Sequence, residues 1–417
     1  MLLAYILSND RKAINYRLVI TGLILQLSLA VFVLKVEFGQ NLFKQIGDLI
    51  TSLLGFSDEG AGFVFGFLVK EPQKLRSMFG IGSEYIFAFR VVPTIIFVSS
   101  LVSISYYLGI MQRIVKVVAK FVAWLMGASG AEALSNAASV FVGQVEAQLL
   151  IKPYVASMTK SELLASMAGS MACVSGGVLA VYIGLGIKAS YLLTASIMAA
   201  PGALVISKII YPEKEISKTK GSVKLEILKT NVNLIDAASH GASDGLRIGL
   251  NVVAMLIAFI ALISLIDASL AFLSFQLTYL GIHLHNFGFT SDIVKLKDIF
   301  GILFSPIALI LGVPVNDIQV VGKLMGEKLA INEFVAFSDL SRMVNHLTTE
   351  TLSKRAELIA SFALCGFANF SSVAIQVGGI GEIAPSRRQD IAKLGMKALL
   401  CGTMASYLSA AIAGLLI

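Results

Sequence analysis

A series of apolar runs, each long enough to cross a bilayer, constrains this chain more than any other feature. The purest, "IGLNVVAMLIAFIALISLI" (248–266), contains no charged residue. A hydrocarbon core of roughly 30 Å needs about 20 apolar residues in a helix, so such runs read as transmembrane spans. They fall at 1–9 (shortened), 18–36, 87–109, 162–186, 189–210, 246–270, 353–380 and 392–417. Composition agrees: of 417 residues, 56% are hydrophobic and 14% charged, against about a quarter charged in soluble domains. Continuous apolar blocks exclude an outer-membrane barrel, whose strands alternate over about 10 residues. The start, "MLLAYILSNDRK", lacks a small-residue cleavage site and reads as a shortened first span, not a signal peptide.

Two further segments, about 129–157 and 298–345, are apolar but interrupted by Gly, Pro, Asn and Glu. Each has room for a helix, a break and a second helix, which is the pattern of a re-entrant hairpin. With the N-terminus outside and each hairpin returning to its own side, the basic clusters at 11–17, 112–120, 208–229 and 386–397 all fall inside. That is the distribution the positive-inside rule requires. It accounts for the net charge of +7 without nucleic acid as a partner, and it puts both termini on the periplasmic face of a bacterial inner membrane. The expected fold is an all-α polytopic membrane protein with about eight transmembrane helices and two re-entrant helical hairpins.

A repeat organises these elements. "ELLASMAGSMACVSGGVLAVYIGLG" (162–186) matches "ELIASFALCGFANFSSVAIQVGGIG" (357–381). The order span, amphipathic stretch, hairpin, span, span occurs twice, and three crossings per unit leave the copies inverted. Residues 1–86 are read as N-terminal spans and an interfacial helix, 87–210 as the first repeat, 211–245 as a cytoplasmic linker and 246–417 as the second repeat. Inverted repeats with broken helices meeting at the midplane are the architecture of secondary transporters.

Four stretches concentrate buried polarity at matching places in the two repeats: "GQVE" (143–146), "CVSGG" (173–177), "NEF" (332–334) and "FANFSS" (367–372). Glu146 and Glu333 are the sharpest of these residues. An unpaired carboxylate inside a membrane is costly, so it marks a functional site by default, although a helix cap or an interfacial position would also explain it. Desolvation raises the proton affinity of such a group, which makes either residue a possible proton acceptor. Gln144, Asn369, Ser371 and Ser372 add neutral donors and acceptors. With no cation clustered among them, the set suits a hydroxyl- and amide-rich neutral solute better than an anion. There is no HExxH, P-loop or GxSxG, and Cys173, Cys365 and Cys401 have no metal-ligand spacing. An enzyme and an ATP-driven pump are therefore not expected.

These residues resemble the concentrative nucleoside transporter family in its shorter bacterial form. The likeness runs from "SNDRKAINYR" through "FVGQVEA", "NEFVAF" and "CGFANFSS" to "APSRRQDIAKLGMKAL", nearly the whole chain. It implies a homotrimer in which an elevator-type transport domain, made of the hairpins and broken spans, moves against a scaffold that includes 87–109 and 246–270. It also implies that Gly143, Gln144, Val145 and Glu146 face the nucleobase with Val178 nearby. Glu333, Asn369 and Ser372 would hold the ribose, and Phe367 would line the site, for a substrate such as uridine or adenosine.

Three departures from the family stand out. Val145 replaces a usual Ser or Thr, and Gln148 replaces a common Pro, with the prospect of a looser hairpin helix or an added polar contact. Sodium-coupled relatives place their ion at positions matching Ser139, Val142, Cys173 and Val174, where this chain has Ser for Asn and Cys for Ser. Sodium is a hard cation that wants oxygen ligands, and a thiol is a poor substitute. Proton coupling is therefore expected, with Glu146 or Glu333 as carrier and no bound cofactor. The alternatives are sodium coupling through backbone carbonyls, and a passive nucleoside channel.

Overall fold

The computed structural model describes all residues except 80–85, 221–230, 281–282, 285–291, 346 and 349. The middle of the linker read from the sequence, 221–230, thus lies outside the described residues. Among the described residues every regular element is a helix. Six stretches are long and apolar enough to cross a membrane: Tyr16–Leu34, Ala88–Tyr107, Lys160–Gly184, Ala189–Ile210, Leu234–Tyr279 and Pro385–Leu416. The other two expected spans are a five-residue helix, Leu2–Ile6, and a broken pair, Lys354–Leu364 and Phe370–Ile383.

Both interrupted segments turn back on themselves. The first hairpin runs up Gly130–Ser139, turns through 140–145 and returns in the short helices Glu146–Leu149 and Lys152–Val155. The second pairs Ile318–Ala330 with Glu333–Val344, and only Ile331 and Asn332 lie between them. The starts of four of these helices are written into the sequence. Ser129 with Glu132 and Thr159 with Glu162 form capping boxes, while the side chains of Asn332 and Asn369 accept from N–H groups three residues on. Such caps satisfy N–H groups that a helix end leaves without partners. An amphipathic helix precedes each hairpin, Ile110–Met126 and Leu296–Ile310, so the element order repeats along the chain.

Each broken span finds a backbone hydrogen-bond partner at its break, the second span in the first and the first span in the turn of the first hairpin. The Phe367 N–H donates to the Cys173 carbonyl at 3.2 Å, and the Gly176 N–H donates to the Phe141 carbonyl at 3.0 Å. Gly366 sits at φ +140°, and a Cβ there would lie 2.5 Å from the Ala172 carbonyl oxygen. Only glycine permits both that conformation and that approach. Unwound backbone persists at membrane depth because the neighbouring break and the first hairpin's turn supply these partners.

Two helices stand apart from this assembly and face each other, Phe87–Tyr107 and Leu234–Tyr279. Gly241, Gly245 and Gly249 form a ridge at four-residue spacing, and a Cβ at Gly245 would meet the Ile96 Cα at 2.6 Å. Small residues at this spacing let backbones approach closely. The ridge also explains a difference from the sequence reading, which ended the linker at 245. The helix already begins at Leu234, where the Asn233 side chain accepts from the Asp236 N–H at 2.9 Å. The polar residues of 235–247 belong to a helix packed through its glycines, not to a loop. Of the apolar window in Leu234–Tyr279 only 6% is buried, against 89% for Ala189–Ile210, so this pair is peripheral and the hairpins and broken spans are central.

Candidate functional site

The second hairpin and the second broken span meet at Glu333, the first residue of its helix and buried. Its Oε2 accepts from Asn369 Nδ2 at 2.9 Å and its Oε1 from the Tyr182 hydroxyl at 3.2 Å. Glu333 stands at a helix N-terminus, and two donors fix the orientation of its oxygens. Asn369 is itself fixed, because its Oδ1 caps the next helix by accepting from the Ser372 N–H (2.8 Å) and the Ser371 hydroxyl (2.7 Å). Tyr182 stacks on Phe337 with ring centroids 4.2 Å apart. Each group that touches Glu333 is thus locked by its own packing or hydrogen bonds.

The first hairpin reaches the same place from the opposite side. Gln144 Nε2 donates to the Ser372 hydroxyl at 3.3 Å, and Gln376 Nε2 reaches Gln144 Oε1 at 3.5 Å. Between these tips lies a cavity of about 160 Å³ lined by Gln144, Val178, Glu333, Phe367, Asn369 and Ser372. Its opposite wall is apolar: Ile95 comes from Phe87–Tyr107, and Val252, Met255 and Leu256 come from Leu234–Tyr279. Every polar side chain in the lining comes from a hairpin or a broken span.

Three sequence-named residues lie elsewhere. Gly143 and Glu146 line an adjoining cavity of about 510 Å³, which shares Ile95 and Val178 with the first. Val145 packs toward Gly379, where an added Cβ would meet its Cγ1 at 2.8 Å. Other contributors escaped the sequence reading, Tyr182, Ile95 and Gln376 among them. Tyr182 looked like one more aromatic in an apolar span, and Ile95 carries no polar signal. Gln376 was legible, since Asn369, Ser372 and Gln376 at i, i+3 and i+7 share one helix face.

At the positions matching the family's cation site, the side chains turn to other partners. The Ser139 hydroxyl donates to the Ser135 carbonyl at 2.8 Å and lies 2.9 Å from the Ser170 hydroxyl, whereas Cys173 Sγ points to the Ser196 carbonyl at 3.7 Å. The Val174 carbonyl accepts from the Ser196 hydroxyl, and Val142 lines the larger cavity. Gln148 enters the neighbouring space. Its amide donates to the Ser135 and Ser170 hydroxyls (3.0 and 2.8 Å) and accepts from Ser166 at 2.6 Å, all buried. Of the two effects expected of Gln148, the structure displays the added polar contact.

Comparison with known proteins bears directly on this arrangement. The family described as Na+ dependent nucleoside transporter C-terminus matches residues 191–414, its N-terminal counterpart matches 1–68, and a nucleoside recognition family, Gate, matches 88–189. An uncharacterized transporter of Haemophilus influenzae is 41% identical over 416 residues, covering 100% of this chain and 95% of its own length. Nucleoside permease NupC of Helicobacter pylori is 38% identical with the same coverage. Among solved structures, CNTnw in an inward-facing substrate-bound state superposes with a TM-score of 0.89 at 41% identity, covering 100% of this chain and 96% of that one. A CNTnw variant in an outward-facing state gives 0.92 at 40% identity, covering 100% and 95%. With a fold found in both inward- and outward-facing states and a polar chamber between two hairpin tips, the chain belongs to the concentrative nucleoside transporter family and is a transporter, not an enzyme.

Proposed function

We propose that this protein carries nucleosides such as uridine or adenosine into a bacterial cell, across the inner membrane, coupled to protons. The nucleobase sits against Gln144 and extends into the adjoining cavity toward Gly143 and Glu146, with the Val145 backbone beside it and Val178, which lines both cavities, as an apolar contact. The ribose hydroxyls bind Glu333, Asn369 and Ser372, with Phe367 as a wall. The observation that carries this reading is the Glu333–Asn369 pair opening on a chamber whose polar residues all belong to the hairpins and broken spans. A sugar hydroxyl can both donate to the carboxylate and accept from the amide. Because the opposite wall is apolar, the polar half can slide along it without breaking hydrogen bonds, which suits an elevator movement. A homotrimer is the assembly that the family resemblance implies.

Proton coupling is supported by the Cys173 thiol, a poor ligand for a hard cation, and by the Ser139 hydroxyl, which is already engaged by the Ser135 carbonyl and the Ser170 hydroxyl. Sodium coupling is the second reading, favoured by the family's description as Na+ dependent. Proteoliposomes with proton and sodium gradients imposed separately decide between them. Labelled uridine or adenosine should accumulate under an inward proton gradient alone. Accumulation under sodium alone overturns the coupling assignment, and equilibration without accumulation under either gradient would mean a passive channel.

A further inference from the structure

Behind the second hairpin lies a charged cluster that the solute chamber does not use. Glu327 stands on Ile318–Ala330, and its side chain is 1% exposed. Lys297, on Leu296–Ile310, places Nζ 2.7 Å from Glu327 Oε1 and also pairs with Asp339 of Glu333–Val344. Two carboxylates on two arms of the hairpin therefore share one ammonium. Glu327 Oε2 is buried and has no hydrogen-bond partner among the described residues.

The other charged groups on the packed helices are engaged elsewhere. Asp298 and Glu350 hold Lys323 at 3.3 and 3.2 Å, and Lys328 Nζ donates to the Ala363 carbonyl at 2.8 Å. Asp317 accepts from Ser353, Arg355 donates to the Gly312 carbonyl and Glu357 pairs with Lys188. Glu333 is bound by Tyr182 and Asn369, while Arg342 and Lys354 are exposed. Fully ionised, the trio of Lys297, Glu327 and Asp339 carries one surplus negative charge, and Glu327 is its buried member while Asp339 and Lys297 reach solvent. A buried charge in excess of its partners is unfavourable. A proton on the Glu327 carboxylate removes the surplus.

Resting on the proton-coupled reading above, we propose that Glu327, with Asp339 and Lys297, is the site that carries the coupling proton. A proton from the outer solution forms an O–H bond at the Glu327 carboxylate, and the neutral trio crosses with the loaded hairpin. On the inner side that bond breaks and the proton passes to cytoplasmic water. The link to the solute is short. The Ile331 N–H donates to the Glu327 carbonyl at 2.9 Å, so the helix turn that holds Glu327 ends at the Asn332–Glu333 tip.

The test uses the purified protein in proteoliposomes with labelled uridine. Glu327→Gln copies the neutral state. It should keep uridine binding within about threefold and keep uridine exchange, yet lose proton-driven accumulation by about tenfold or more. Lys297→Gln leaves the two carboxylates without their cation, so the pH of half-maximal uptake should rise by about one unit or more. Proton-driven accumulation retained by Glu327→Gln overturns the site, as does an unchanged pH profile in Lys297→Gln. So does a Glu327→Gln variant that loses binding and exchange too, which would make the residue structural. In all three cases wild-type proton coupling stands. A wild type driven only by sodium defeats the coupling reading itself, and the site with it.

Discussion

Asn369 Nδ2 donates to Glu333 Oε2 at 2.9 Å, and both residues stand at helix N-termini created by breaks in otherwise apolar segments. Glu333 opens the returning helix of the second hairpin, while Asn369 caps the helix that follows the second unwound stretch. The chain places its one chamber-lining carboxylate where two helix ends supply favourable electrostatics, and lets a neutral amide orient it. A solute hydroxyl meets a preorganised acceptor.

Glu333→Gln keeps the side chain's shape but removes the charge. A hydrogen bond to a charged group contributes about 1.5–3 kcal/mol, so nucleoside affinity should fall about 10- to 100-fold. Equilibrium binding of labelled uridine to the purified variant measures this, with size-exclusion chromatography checking assembly. Wild-type affinity would limit Glu333 to a structural part.

Gln148→Ala removes the hub of a buried network and takes one bond each from the Ser135, Ser166 and Ser170 hydroxyls, which keep the Ser166–Ser135 and Ser139–Ser170 contacts. Unsatisfied buried polar groups cost about 1–3 kcal/mol each, so the melting temperature of the detergent-solubilised protein should drop by several degrees, about 2–4 °C per kcal/mol at this size. An unchanged melting curve would show that water replaces the amide at no cost.

Gly245→Leu forces a side chain into the Ile96 backbone, where even a Cβ would lie at 2.6 Å. The pairing of Phe87–Tyr107 with Leu234–Tyr279 cannot survive that insertion without a shift of backbone. The expected result is loss of monodisperse protein on size-exclusion chromatography, whereas Gly60→Ala, in open space, should behave as wild type.

Lys208 is buried at the end of Ala189–Ile210, 2.8 Å from Glu132 and 3.3 Å from Glu213. Lys208→Met strands the Glu132 carboxylate and should destabilise the protein by about 3–5 kcal/mol. Adding Glu132→Gln, which can still accept from the Ser129 N–H, should recover a large part of that loss. Thermal unfolding of both single variants and the double variant measures the coupling between the two positions.

Much of the fold was legible because membrane burial is one-dimensional in sequence: a run of about 20 apolar residues has few other destinations. The hairpins were legible for the opposite reason, as polar residues such as Gln144 and Glu333 where apolar ones were due. The start of Leu234–Tyr279 was not, because Asp236, His240 and Asp244 read as loop. Only the glycine ridge, once seen against Phe87–Tyr107, makes them part of a helix, with His240 and Asp244 lining the larger cavity.

The partners within the site were hidden more deeply. Tyr182 lies 151 residues from Glu333 and Gln144 lies 228 from Ser372, and nothing local announces either pairing. Val145 and Glu146 are neighbours in sequence, yet one packs toward Gly379 and the other lines the larger cavity, because a hairpin turn points successive side chains in different directions. The same holds for Lys297, Glu327 and Asp339, three ordinary charged residues until two hairpin arms and an amphipathic helix bring them together.

By itself, then, the sequence determined which segments enter the membrane, where they break and which polar residues accompany the breaks. These follow from local hydropathy and helix-end chemistry, which depend on near neighbours. Only the tertiary structure decided which broken ends meet, which carboxylate each amide orients and which charges share a partner. Those outcomes depend on distances between remote segments, and a hydrogen bond or ion pair acts over only a few ångströms.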